Sequence, residues 1–159
     1  MNKYTFHKME DDYVDVVVNI YNSNKIFLQN HMGISRVTKD FILKEIEEMK
    51  NHGFDSLIVK NNPGEIVGVC DFKIENEVYL SLLMIDAKHR GNGIGGRVYN
   101  QLEKIFKSKK VSSVRIDVVY DYEENVLRFW EKQGFVANEK INLYWNGYKL
   151  NAIKMYKSI

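Results

Sequence analysis

The run HisArgGlyAsnGlyIleGlyGly at 89–96 constrains this chain more than any other stretch, because it follows the apolar segment Tyr79 to Ile85 and opens an amphipathic one. It reads as a strand handing a glycine-rich turn to the start of a helix. Glycines at 91, 93, 95 and 96 leave backbone N–H groups uncovered, and the first helical turn adds unpaired donors at the positive end of its dipole. A ligand suited to such a turn carries phosphate. Arg90 adds a cation at its mouth, shaped for bidentate contact with phosphate oxygens.

Two phosphate-binding patterns compete for these residues. Gly91, Gly93 and Gly96 satisfy GxGxxG, with Asp117 about 20 residues further on, as in a dinucleotide-binding oxidoreductase. The context argues against it. Asp86 to Arg90 intervene between the apolar strand and Gly91, whereas a dinucleotide turn sets its first glycine almost at the strand end. Too little chain follows Gly96 for a second mononucleotide half, and the strand around Asp117 continues through Val118 and Val119.

The second pattern is (Gln/Arg)xxGx(Gly/Ala), met by Arg90, Gly93 and Gly95 with Ile94 between the glycines. On these residues the chain resembles the GCN5-related N-acetyltransferase (GNAT) family. Leu82 to Gly96 resembles that family's fourth strand, pyrophosphate turn and third-helix start. AsnValLeuArgPheTrpGluLysGlnGlyPhe at 125–135 resembles its fourth helix and the turn after it. The resemblance implies an α/β fold: one domain over 1–159, a mixed sheet of about seven strands flanked by about four helices. It implies transfer of the acetyl group of acetyl-CoA to a primary amine, on a small molecule or a protein, by direct attack on the thioester. The pyrophosphate would rest on Arg90, Gly91, Asn92, Gly93, Ile94, Gly95 and Gly96. The pantetheine arm would pair with backbone groups near Leu83, Met84 and Ile85 as an added strand does, and a backbone N–H there would polarise the carbonyl. Asn125 stands where the family often contacts the cofactor, and a helix cap explains it equally well.

One departure bears on the chemistry. Many members carry a tyrosine at the position of Trp130 and use it as the acid for the departing thiolate, a role an indole cannot fill. Tyr120 and Tyr122 are the substitutes to test, and water can also protonate a thiolate. A general base could be Glu77, which shares alternation parity with Tyr79, Ser81 and Leu83, or Asp117; for both, a salt-bridge role is the plainer reading. A noncatalytic acyl-CoA-binding or sensing module is therefore the alternative function.

Composition narrows the classes. At 159 residues, with 45% hydrophobic and 28% charged content, the chain suits one soluble domain. A net charge of +2 is too small to argue for nucleic acid, and LysSerLysLys at 107–110 reads as a solvated helix end. The first twelve residues lack a signal-peptide core and no stretch reaches membrane-span length, so a cytoplasmic protein with no membrane partner is expected. Cys70 stands alone beside Val67, Val69 and Phe72, as buried filler in a strand. His7, His31, His52 and His89 show no metal-ligand spacing, and no metal is expected.

Periodicity and turn signals predict strand over about 3–8, helix 11–23, a loop, helix 38–51, strands 55–60, 65–75 and 77–86, helix 93–108, strand 112–119, helix 123–133, then two strands. Thr38 is the cap and Gly53 the stop of the second helix. Asn146 and Gly147 mark a type I′ hairpin, making the last two strands antiparallel. By the resemblance, acceptor choice lies with residues 22–37, which contain Phe27, His31 and Met32, and with the hairpin around Tyr144, Trp145 and Tyr148. An acceptor pocket, core packing and homodimer contacts are all open explanations for these aromatics.

Overall fold

A computed structural model describes residues 3–121, 124–145 and 147–159. The elements run β1 (Thr5–Lys8), α1 (Val14–Ser23), α2 (Lys25–Met32), α3 (Lys39–Asn51), β2 (Asp55–Lys60), β3 (Ile66–Ile74), β4 (Val78–Ile85), α4 (Ile94–Ser108), β5 (Ser113–Val119), α5 (Glu124–Lys132), β6 (Val136–Trp145) and β7 (Tyr148–Ser158). Seven strands form one sheet in the order β1-β2-β3-β4-β5-β7-β6. Among the described residues only β4 and β5 run parallel; every other neighbouring pair is antiparallel. The parallel pair needs a crossover, and α4 provides it.

Both faces of the sheet are covered, which explains the near-continuous apolar content of its central strands. Val14, Val17 and Ile20 of α1, Leu28 and Met32 of α2 and Ile42 of α3 pack with Ile58, Val69 and Met84 on one face. On the other, Tyr99, Leu102 and Phe106 of α4 and Trp130 of α5 pack with Cys70, Phe72, Leu80, Val114 and Ile116. Cys70 is fully buried there, as expected of filler. The valine-rich start of α1 suits a strand by propensity, but Val14 and Val17 fall on one helical face and bury together, so tertiary packing decides.

Two features differ from the sequence expectation. Residues 25–32, expected as loop, form α2, giving five helices instead of four; Gly33 ends it at φ +64°, its N–H donating to the Gln29 carbonyl and the Ile34 N–H to that of Leu28. The second is a β-bulge in β4. Asp71 pairs with Leu82 but Phe72 pairs with Leu80, so Ser81 is an extra residue. The bulge reverses side-chain parity: Leu80 and Leu83 face the α4 side, Leu82 and Met84 the α1 side. The parity that grouped Glu77 and Tyr79 with Leu83 is therefore broken, because strict alternation does not survive an inserted residue.

Candidate functional site

Val78 pairs with Val114 and Tyr79 with Arg115, and beyond these two pairs β4 and β5 part. Leu80 to Ile85 and Ile116 to Val119 then line opposing walls of a cleft of about 600 Å³. Asn125, Val126, Phe129 and Trp130 of α5 close it on one side, and Ile26, Phe27 and His31 of α2 reach it from the other. The edge of β4 facing the gap has no strand partner above Tyr79 among the described residues, so an extended ligand arm can add to it through backbone hydrogen bonds.

The glycine turn stands at one end of this cleft. Gly91 and Gly93 hold φ of +92° and +71°, where a side chain is strained, and Gly93 is the residue from which α4 starts. The first N–H groups of α4 thus point out of the turn without helical partners. Gly95 answers a different need: a Cβ there would lie 3.1 Å from Cε1 of Phe129, so the glycine lets α5 close against α4. Gly91, Gly93, Ile94, Gly95 and Gly96 all line the cleft; Asn92 is exposed at the tip of the turn and does not. Leu83, Met84 and Ile85 line it from β4, and Asn125 from the first turn of α5.

Arg90 also lines the cleft, but its guanidinium donates to Oδ1 of Asn24. Asn24 is buried, and its Nδ2 donates to the carbonyls of Ile20 at 2.8 Å and Ile85 at 3.1 Å. Arg90 therefore ties the α1–α2 corner to the end of β4. Asn24 is a site residue that sequence reading missed, since the partners that bring it to the site, Ile85 and Arg90, lie more than sixty positions away.

The expected catalytic residues are scattered. Asp117 lines the cleft, yet its carboxylate accepts two hydrogen bonds from Arg115, at 3.1 and 2.9 Å, and one from the Tyr79 hydroxyl at 3.0 Å. Burial raises the Tyr79 pKa, and the Asp117 charge beside it adds to the effect. Glu77 sits in the turn before β4, below the point where the strands part, and is not among the lining residues. Tyr120 follows β5 with its ring beneath the Lys140 ammonium, 5.5 Å from the centroid, and does not line the cleft. Tyr122 lies outside the described residues. Trp130 does line it, at 9% exposure, packed edge-on against Tyr99 and Phe135.

Across the cleft, the two segments expected to choose the acceptor meet. Phe27 and His31, four residues apart on α2, stack with ring centroids 4.1 Å apart, and Trp145 meets both edge-on. Met32 is buried beneath them, while Tyr148 packs onto Gly33. Burial pushes the His31 pKa down to about 4, against a hydrogen bond from its ring to the Phe27 carbonyl, so the imidazole is neutral at pH 7. Behind Trp145, burial raises Glu45, and it lifts Asp71 to about 6 despite a hydrogen bond from Ser56.

Among the described residues no helix is long and apolar enough to cross a membrane. The structure is similar to that of spermidine N-acetyltransferase from Vibrio cholerae, solved with CoA and spermine: TM-score 0.76 at 15% identity, covering 98% of this chain and 95% of that one. It is similar to ribosomal-protein-alanine N-acetyltransferase from Brucella melitensis, with TM-score 0.71 and 17% identity over 98% and 99% of the chains. An N-acetyltransferase from Staphylococcus aureus gives 0.71 and 16% over 98% of each. These likenesses establish the fold. No curated protein matches the sequence. The family model for the acetyltransferase (GNAT) family matches residues 18–135, a span that holds the glycine turn, the parted strands and α5, and the chain belongs to that family.

Proposed function

We propose that the protein transfers the acetyl group of acetyl-CoA to a primary amine. The observation that carries this reading is the junction of two features in one cleft: a strand edge on β4 without a strand partner among the described residues, and a glycine turn at a helix N-terminus where the cleft ends. The first suits a long amide-containing arm, the second a pyrophosphate. Positive φ at Gly91 and Gly93, with nothing within 4 Å of a Cβ on Gly91, fits a backbone surface kept bare for an anion.

Acetyl-CoA bound there supplies an acetyl group already activated as a thioester. The chain's own residues position, polarise and exclude water. A backbone N–H of β4 near Leu83 or Ile85 donates to the thioester oxygen as negative charge grows on it. Phe27 and His31 guide the amine from the α2 side, and Trp130 walls the far side with an indole whose N–H donates hydrogen bonds but does not titrate. Asp117, engaged by Arg115 and Tyr79, keeps the β5 wall in place, and Glu77 stands away from the cleft, so neither is assigned as base. The proton from the amine passes to water at the open mouth, and water protonates the thiolate.

Amine-dependent release of free thiol from acetyl-CoA tests the reading, with the acetylated amine identified by mass. Release that saturates with one class of amine supports it. Tight CoA binding with no turnover across a broad panel of amines favours the second reading, a noncatalytic acyl-CoA-binding module, for which Trp130 and the engaged Asp117 speak.

A further inference from the structure

Two halves of the sheet part above Tyr79, and Trp145 spans the gap between them. Its ring packs with Val119, Leu150 and Ala152 of the β5–β7 half, and with the cluster that α1, α2 and α3 build over Val69 and Met84 of the other half. Tyr148, its partner across the hairpin, seats on Gly33 at the end of α2. The hairpin thus bridges the cleft beside Phe27 and His31, the two lining rings that Trp145 meets edge-on at 5.7 and 6.0 Å between centroids. Apolar contacts leave a ring free to slide and rock, whereas a hydrogen bond fixes its direction.

That hydrogen bond comes from α3: the Trp145 indole N–H donates to the Glu45 carboxylate. Glu45 is an unfavourable choice for its place. Burial and the neighbouring charges of Glu48 and Asp71 all disfavour its ionised form, and the indole opposes them. Asp71, Tyr21 and Ser56 share with it a small cavity of about 20 Å³, and none of the three brings a positive charge. An apolar or amide side chain would serve stability better there, and such departures from local rule concentrate where a function is served. A charged acceptor does give the indole a hydrogen bond about twice as strong as a neutral one. We propose that Glu45 is a positioning residue for the acceptor amine, holding Trp145 so that the Phe27 and His31 rings keep the shape of the acceptor wall. Glu45 does not line the cleft, so it acts only through the indole. This rests on the acetyl-transfer reading above.

Steady-state thiol release from acetyl-CoA by wild type, E45L, E45Q, W145F and E45L/W145F tests the proposal, with butylamine, benzylamine, putrescine and a short alanyl peptide as acceptors. The indole N–H resonances of isotope-labelled protein are read alongside, the Trp145 signal being the one lost in W145F. For an amine that wild type acetylates, E45L should raise the amine KM by about tenfold, the scale of one lost charged hydrogen bond. The acetyl-CoA KM and kcat should stay within about twofold, and the Trp145 indole signal should shift upfield. E45Q, whose amide oxygen accepts the same bond without the charge, should recover part of the amine KM. W145F, which keeps a ring but removes the donor, should reproduce the E45L loss, and the double variant should add little to it. An unchanged amine KM in folded E45L overturns the proposal. So do additive losses in the double variant, and so does a rise in both KM values together, which marks Glu45 as structural. An active wild type beside an unaffected E45L leaves the acetyl-transfer reading standing; a wild type that acetylates no amine of the panel overturns both.

Discussion

The guanidinium of Arg90 donates to the amide oxygen of Asn24, and that buried amide donates in turn to the carbonyls of Ile20 and Ile85. One side chain thereby joins the end of α1, the end of β4 and the residue before the glycine turn. Asn24→Leu removes these links and takes the amide donor from the Ile85 carbonyl, while water can solvate the exposed Arg90. Unfolding free energy should fall by about 1–3 kcal/mol, measured by urea denaturation, with weaker acyl-CoA binding because the turn is no longer held from behind.

Gly93→Asp places a side chain at φ +71° and a carboxylate where the proposed anion rests. Acyl-CoA affinity should drop by about 100-fold or more, roughly 2.7 kcal/mol, while circular dichroism stays that of the folded protein. Gly95→Leu acts by crowding instead. Its Cβ would meet the Phe129 ring at 3.1 Å, so α5 must move, and a stability loss of about 1–3 kcal/mol is expected alongside the loss of binding.

Asp117→Asn separates a wall residue from a base. Asparagine still accepts from Tyr79 but surrenders the ion pair with Arg115, whose side chain is 27% exposed against 2% for Asp117. Water can reach the arginine, so the expected stability loss is about 1–3 kcal/mol, short of that for a fully buried pair. Turnover at saturating amine should fall by less than about tenfold; a far larger fall with the acid-side limb of the pH–rate profile erased would make Asp117 the base.

Titration of two half-buried groups gives stability a pH signature. Asp71 is lifted from 3.8 to about 6 by burial, so the fold prefers it protonated: its stabilisation is full below about pH 4 and is lost as pH rises through 6. Asp71→Asn should therefore stabilise the protein at pH 7.5, on the order of 2–3 kcal/mol, and change little at pH 4. His31, lowered from 6.5 to about 4 by burial, runs the other way, its contribution present above 6.5 and lost as pH falls toward 4. His31→Phe should flatten the acid-side decline in melting temperature.

What sequence reading recovered and what it missed divide by range. The glycine turn, the Thr38 cap, whose hydroxyl accepts from the Phe41 N–H at 3.2 Å, and the order of strands rest on local steric and capping rules, which act within a few residues. The helix at 25–32 carried a local signal as well, Leu28 with Met32 and Phe27 with His31 at i, i+4 before Gly33, but only eight residues express it. The bulge at Ser81 has no local marker, because it depends on how β3 meets β4. Asn24 and the engagement of Arg90 and Asp117 likewise come from chain segments brought together only by folding.

The most direct measurement is calorimetric titration of the purified protein with acetyl-CoA, with NADH as the control ligand. Saturable one-to-one binding of acetyl-CoA, no binding of NADH, and loss of the signal in Gly93→Asp are the expected results. No binding of acetyl-CoA at millimolar concentration by folded protein would contradict the assignment of the cleft.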